Sequence, residues 1–279
     1  MDFTIYEVGP RDGLQSADTI TPTGRKVELI EMIADAGIKN IEVGAMVNPN
    51  KVPNMADSQL VYSRVSYLHD CNLGVLVPNK RGIDRATEVG VEKFNIFFSP
   101  SDYFNVNNFG RNLTSIFTGY CEALSDIRKE NVRVYISTSF GCPMAGEIPE
   151  ENMLKTLDWA DTLGSSIVLC DTVGKANPTL IAEKMRLTEN LDADIALHLH
   201  HGLRKGRMID NLAAGFDCGV TQFDSSIGGM GGCPFIPGSG GNLATEELIQ
   251  WAENEELDCG VTMENIKPLS KYVDSAIKV

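Results

Sequence analysis

The sequence predicts an α/β chain closed into a single (β/α)8 barrel, the TIM-barrel architecture, because eight short apolar runs alternate with longer amphipathic stretches from end to end. The runs, rich in β-branched and aromatic residues, fall at 3–8, 40–44, 73–77, 93–98, 133–137, 167–170, 195–199 and 221–224. The length of 279 residues also sits near the roughly 250 typical of such barrels. No Pro/Ser-rich linker, charge block or low-complexity run divides the chain. One domain over 1–279 is therefore expected, with a C-terminal helical segment at about 261–279 packed on it. An open doubly wound sheet would alternate in the same way, but the G-x-G-x-x-G turn that marks its first strand is missing.

In a parallel barrel, chemistry sits at the C-terminal strand ends and the loops that follow them. The first run ends at Arg11 and Asp12, and the helix expected over 23–36 carries Val27, Leu29, Ile30, Ile33 and Ala34 on one stripe. The second run brings Glu42, the third ends near Asn79, the fourth at Ser99 and the fifth at Thr138 and Ser139. Glu150–Leu163 then reads as a helix through Met153, Leu154, Leu157 and Ala160. The sixth run ends at Asp171 and Thr172, the seventh at His198, His200 and His201, and the eighth at Asp224 to Ser226.

Charge narrows the function. Lys+Arg 24 against Asp+Glu 38 leaves a formal net charge of −14 at pH 7, and such a surface repels phosphate backbones and anionic lipid. Neither nucleic acid nor membrane is an expected partner. No apolar run reaches the roughly 18 residues of a membrane span and no secretory signal opens the chain, so a cytoplasmic protein is expected. Seven scattered cysteines with no C-x-x-C pair suit reduced thiols, most of them packing residues.

Three of the four histidines fall in Leu197-His198-Leu199-His200-His201-Gly202. Residues two apart on a strand point the same way, so His198 and His200 present two imidazoles to the barrel mouth. They read either as satisfied polar residues closing a barrel layer or as metal ligands; without a metal or carboxylate, two buried imidazoles leave donors unmatched. Barrel closure brings the end of the first strand round to face them, and with it Asp12. Two neutral imidazoles and a carboxylate leave positions open for substrate oxygens, which suits a divalent Lewis acid and leaves Mg, Mn, Co and Zn open. Metal-dependent amidohydrolase barrels also use an H-x-H pair, but on the first strand and with further histidines on middle strands. Here the pair is on the seventh, and His69, in a stretch that reads as helical, is the one other histidine.

The opening Glu7-Val8-Gly9-Pro10-Arg11-Asp12-Gly13-Leu14-Gln15 resembles that of 3-hydroxy-3-methylglutaryl-CoA lyases, members of the metal-dependent lyase and Claisen-condensing barrel superfamily. The likeness continues through Ile41-Glu42-Val43, Val52-Pro53-Asn54-Met55-Ala56-Asp57, Phe140-Gly141-Cys142-Pro143 and Cys170-Asp171-Thr172-Val173-Gly174. It is strongest at Gly228-Gly229-Met230-Gly231-Gly232-Cys233-Pro234 and Gly241-Asn242-Leu243-Ala244-Thr245-Glu246, and so spans nearly the whole chain.

That resemblance implies Asp12, His198, His200 and Asn242 as metal ligands. By position alone Asn242 reads as the N-cap of a helix running through Glu247 and Trp251. An amide oxygen beside a carboxylate points to Mg or Mn. The implied reaction is a retro-Claisen cleavage of an acyl-CoA to acetyl-CoA and a 3-oxo acid such as acetoacetate, with a place in leucine degradation and ketone-body metabolism. Arg11, which by itself reads equally well as the salt-bridge partner of Glu42, would stabilise the enolate oxygen with Glu42 aiming it. Cys233, in a glycine-rich loop able to close over the mouth, would act in proton transfer. Asp171 would contact substrate or orient the acid–base chain, with Gln15 and Thr172 near the substrate. Barrels of this kind are often symmetric homo-oligomers.

Two segments depart from the lyase pattern. Where the lyases carry an aspartate after the seventh-strand histidines, this chain reads His201-Gly202-Leu203-Arg204-Lys205-Gly206-Arg207, and its cations, Arg204 and Lys205 first, either form a solvated face or hold a carboxylate or CoA phosphate. Ser16-Ala17-Asp18 replaces an acidic-then-lysine run near the acyl-CoA site, which opens the substrate to other 3-hydroxy-3-alkylglutaryl thioesters or a related hydroxy acid. The alternatives are a Claisen-type synthase or pyruvate aldolase of the same superfamily, and a catalytically silent barrel.

Overall fold

The computed structural model, which describes residues 1–202, 208–232 and 240–277, is a closed barrel of eight parallel strands in sequence order. The strands are β1 (Thr4–Glu7), β2 (Asn40–Ala45), β3 (Asn72–Leu76), β4 (Lys93–Phe98), β5 (Val132–Ile136), β6 (Ser166–Cys170), β7 (Asp194–His198) and β8 (Gln222–Ser225). β1 pairs with β2 through Tyr6 and Asn40 and with β8 through Thr4 and Gln222, which closes the ring. The described helices are α1 (Thr23–Asp35), α2 (Ser58–Val65), α3 (Lys80–Glu88), α4 (Asp102–Phe109), α5 (Leu113–Ala123), α6 (Glu150–Leu163), α7 (Pro178–Arg186), α8 (Met208–Asp217), α9 (Thr245–Asn254) and α10 (Met263–Tyr272). Each expected strand lies within two residues of its observed limits.

One expectation about local structure is corrected, and one alternative reading falls away. His69 sits in a turn, its amide bonded to the Tyr67 carbonyl at 2.8 Å, because α2 stops at Val65 and the chain must reverse before β3 starts at Asn72. Asn242 is not a helix cap: Ala244 caps α9, and the Asn242 side chain turns inward instead.

The strands sort their side chains by parity, as the two-residue repeat of a strand requires. One set, including Ile5, Ile41, Val75, Ile96, Val134, Leu169, Leu197 and Phe223, packs under the helices in the main apolar core. The other set fills the barrel interior, and there it is polar: Tyr6, Glu42, Asn95, Arg133, His198 and Asp224 are all buried, around a small apolar cluster of Tyr135, Val168, Cys170 and Ala196. An aliphatic interior would have sufficed for stability, so this row of buried polar groups marks the barrel as built for chemistry. At the N-terminal strand ends the interior opens into a cavity of about 480 Å³ bordered by Thr4, Asn40, Lys93, Arg133, Ser166 and Gln222.

The C-terminal segment forms α10 and a final turn, Val273–Ile277, with Ile266, Leu269 and Val273 buried in the main core. No described helix is long and apolar enough to cross a membrane.

Candidate metal and active site

The turn Gly9–Gly13 carries Arg11 and Asp12 off the end of β1. The amides of Arg11, Asp12 and Gly13 all donate to the Val8 carbonyl, at 3.1, 2.7 and 3.4 Å. Glycine is required at position 13, because a Cβ there would lie 2.8 Å from the Cβ of Met230. Arg11 donates through Nε to Glu42 and through a terminal nitrogen to Asp12, so the pairing with Glu42 forms. Glu42 accepts a second bond, 2.7 Å, from Asn95. A register shift between Glu42 and Gly44 interrupts the β2–β3 ladder at this point, as bulges near functional sites do. Burial pushes the Glu42 carboxyl above its ordinary range despite the neighbouring guanidinium.

Asp12 accepts from Gln15 at 2.7 Å on one oxygen and from Asn242 at 2.8 Å on the other. Burial opposes its charge, but Arg11, His198 and His200 outweigh that and hold its pKa down to about 2.

The two histidines are fixed from behind. His198 and Asp224 are register partners on β7 and β8, and the Nδ1 of His198 lies 3.0 Å from the Asp224 carboxylate. An ionised carboxylate only accepts, so Nδ1 of His198 carries a proton and Nε2 is the ring nitrogen left facing the barrel mouth. The Nδ1 of His200 donates in the same way to the Thr172 carbonyl at 3.4 Å, and burial together with His198 lowers the His200 pKa to about 4. Burial disfavours charge on His198 too, but Asp224 and Asp12 override it and raise its pKa.

The two Nε2 atoms face each other at 3.1 Å, a hydrogen-bond distance that one proton between them satisfies, and the His198 Nε2 lies 4.0 Å from Asp12. A divalent cation would take the place of that proton, and the donor atoms of Asp12, His198 and His200 all lie within 4.8 Å of one another. Asn242 adds a further donor. Its amide nitrogen bonds Asp12 and the Met230 carbonyl, both at 2.8 Å, while its Oδ1 is buried without a hydrogen-bond donor among the described residues. Two imidazoles, a carboxylate and an amide oxygen suit a divalent cation.

Asp171 directly follows β6, at the C-terminal end of the strand. Its oxygens accept the amides of Lys175 and Ala176 at 2.8 and 2.9 Å, which folds the loop after β6, and burial raises its pKa to about 6. The Thr172 hydroxyl accepts the Thr138 amide at 2.8 Å. Thr138 itself has φ of 59°, a left-handed conformation unusual for a β-branched residue, in contact with the loop that orients His200.

Sequence reading gave no role to Asp224 or Arg133. The signal was available for Asp224, a carboxylate at a strand end beside the histidine strand. Arg133 sits near the N-terminal end of β5, where strand-end reasoning does not look. His201 pairs with Glu247 of α9 at 2.9 Å, and the close group of donor atoms is Asp12, His198 and His200. Cys233, Arg204, Lys205 and Arg207 lie outside the described residues.

Comparison with known proteins gives a consistent result. The HMGL-like family model matches residues 2–273. The chain is 33% identical to the hydroxymethylglutaryl-CoA lyase YngG of Bacillus subtilis over 97% of its length and 92% of that protein. It is 32% identical to the (R)-citramalyl-CoA lyase of Chloroflexus aurantiacus, covering 98% of this chain and 90% of that one. An HMG-CoA lyase from A. baumannii, solved with coenzyme A and 3-methylmalate, superposes with a TM-score of 0.92 at 30% identity, over 98% of this chain and 90% of that one.

Proposed function

The chain belongs to the HMGL-like family and is a carbon–carbon lyase, and we propose that it cleaves 3-hydroxy-3-methylglutaryl-CoA, or a related 3-hydroxy-3-alkylglutaryl-CoA, by a metal-dependent retro-Claisen reaction. The observation that carries the metal is the convergence of the two histidine Nε2 atoms, 3.1 Å apart, on the Asp12 carboxylate. In this reading Asp12, His198, His200 and Asn242 hold a divalent cation, Mg or Mn given the two oxygen donors, which when bound supplies Lewis acidity toward the substrate hydroxyl and carbonyl oxygens.

The reaction removes the tertiary hydroxyl proton and breaks the C2–C3 bond. The electron pair passes to a thioester enolate, which a proton converts to acetyl-CoA while the 3-oxo acid departs. Arg11 is permanently charged and held by Glu42 and Asp12, so its positive charge is fixed before the enolate oxygen develops. A preorganised donor of this kind contributes about 10²–10³-fold in rate. Gln15 keeps one oxygen of Asp12 turned away from the histidines. Asp171 acts as a positioning residue: it folds the loop that presents the Thr172 carbonyl to His200. Cys233 is our candidate for proton transfer, and Arg204 and Lys205 for binding a carboxylate or CoA phosphate against a net charge of −14.

The test offers the Mg- or Mn-loaded enzyme 3-hydroxy-3-methylglutaryl-CoA, longer 3-alkyl homologues and (R)-citramalyl-CoA, the last because a relative is a lyase of that thioester. Acetyl-CoA release that EDTA abolishes and added metal restores is expected; release from none of them sinks the proposal. In the same assay R204E and K205E are expected to raise KM. A role in leucine breakdown and ketone-body formation follows from the first substrate and stands or falls with it. We also propose a cytoplasmic homo-oligomer, which the free thiols of the described cysteines suit in the first respect.

A further inference from the structure

We infer that Arg133, which enters the barrel from the end opposite the ligands, is a positioning residue for the metal cluster and acts through Asp224. The inference rests on the reading of Asp12, His198 and His200 as ligands. Arg133 is the second residue of β5 and borders the cavity at the N-terminal strand ends, with 6% of its surface exposed. One terminal nitrogen donates to Ser166 at 2.9 Å and to Gln222, and the other to Asp224 at 2.6 Å. The guanidinium lies over the Tyr6 ring, 4.2 Å from its centroid, and 5.5 Å from that of Tyr135. Groups from β1, β6 and β8 therefore fix a side chain rooted in β5, and the planar fork leaves little freedom of aim.

Asp224 has one oxygen on this fork and the other on Nδ1 of His198. A carboxylate held on one side alone can turn about its Cβ–Cγ bond; held on both it cannot, and the His198 Nε2 stays directed at His200 and Asp12. The order Arg133, Asp224, His198 thus links the floor of the barrel to its mouth without Arg133 touching any ligand. A guanidinium present merely to neutralise a buried carboxylate would contribute to stability, and its loss, which removes a nearby positive charge, would not weaken cation binding.

The experiment measures Mn²⁺ affinity of the full chain by the loss of the free-ion EPR signal, in wild type, R133Q, D224N and the double variant, with folding checked by circular dichroism. R133Q is expected to bind Mn²⁺ about 10–100-fold more weakly, the range found when groups that orient metal-bound histidines are removed. Added to D224N, the same change is expected to cost nothing more, because its route to the cluster is already cut. If R133Q does not fold, R133K, which keeps the charge and loses the fork, replaces it, with a smaller loss expected. Wild-type affinity in a folded Arg133 variant, or an undiminished effect in the D224N background, overturns the inference. Absence of Mn²⁺ binding in the wild type overturns instead the ligand reading on which it rests.

Discussion

Glu7 lies outside the ligand cluster and ties together the segments that carry it. One oxygen accepts the amides of Gly9 and Ile227 at 2.8 and 2.9 Å, and the other the Thr245 hydroxyl at 2.5 Å. These belong to the turn of Arg11 and Asp12, the loop after β8 and the first residue of α9. Burial raises the Glu7 pKa to about 7 from an ordinary 4.5, with its three hydrogen bonds opposing. The folded state then holds a proton that the unfolded chain gives up first, so this contribution to stability is complete below pH 4.5 and is lost as pH rises to about 7. E7Q removes that dependence. Chemical denaturation at pH 4.5 and 7.5 is expected to show wild type losing about 3 kcal/mol more than E7Q over the interval. Equal losses would show that Glu7 is ionised throughout.

At the scale of elements, the site is made from ends and loops rather than from strand interiors. The loop after β8 passes close enough to Asn242 that Gly231, at φ of 104°, has no room for a side chain: a Cβ would stand 2.5 Å from the Asn242 amide nitrogen. G231A is therefore expected to displace Asn242 and weaken Mn²⁺ binding by about tenfold or more. Gly90 supplies the control. Its φ is 79° and a Cβ there would meet nothing within 4 Å, so G90A costs only about 1–2 kcal/mol of backbone strain and leaves metal affinity as it was. Matching metal titrations for the two variants would refute the packing account. Boundaries at this scale were legible to within a residue or two because alternation reports them. The turn at His69 and the place of Asn242 were not, since both depend on where the next strand or the facing loop lies.

For the molecule as a whole, the proposed cation joins distant parts of the chain. Asp12 follows the first strand, His198 and His200 lie at the seventh, and Asn242 comes after the eighth. A ligand bound only by the folded state at a hundred times its Kd stabilises by about 2.7 kcal/mol. For a chain of this size that is on the order of 5–10 °C in Tm. Thermal melts in EDTA and in rising Mn²⁺ are expected to separate by that amount with a concentration dependence, and coincident melts would argue against a site spanning the seam.

The residues by themselves determined the repeat of eight, the strand ends where chemistry gathers and the pair of histidines on one face, because each is written in local spacing: a period of two in strands, 3.6 in helices, and polar residues where an apolar run stops. They could point to Asp12 only through barrel closure, and to Asn242 only by likeness to a family. What the tertiary structure alone decided is how those groups are aimed. The proton on His198 is placed by Asp224 from the next strand, and Asp224 is held by Arg133 from across the barrel. Asp171 accepts the amides of the loop that follows it. Such assignments depend on which acceptor lies within about 3 Å of which donor, and a folded chain sets that distance between residues far apart in sequence, where no local pattern can record it.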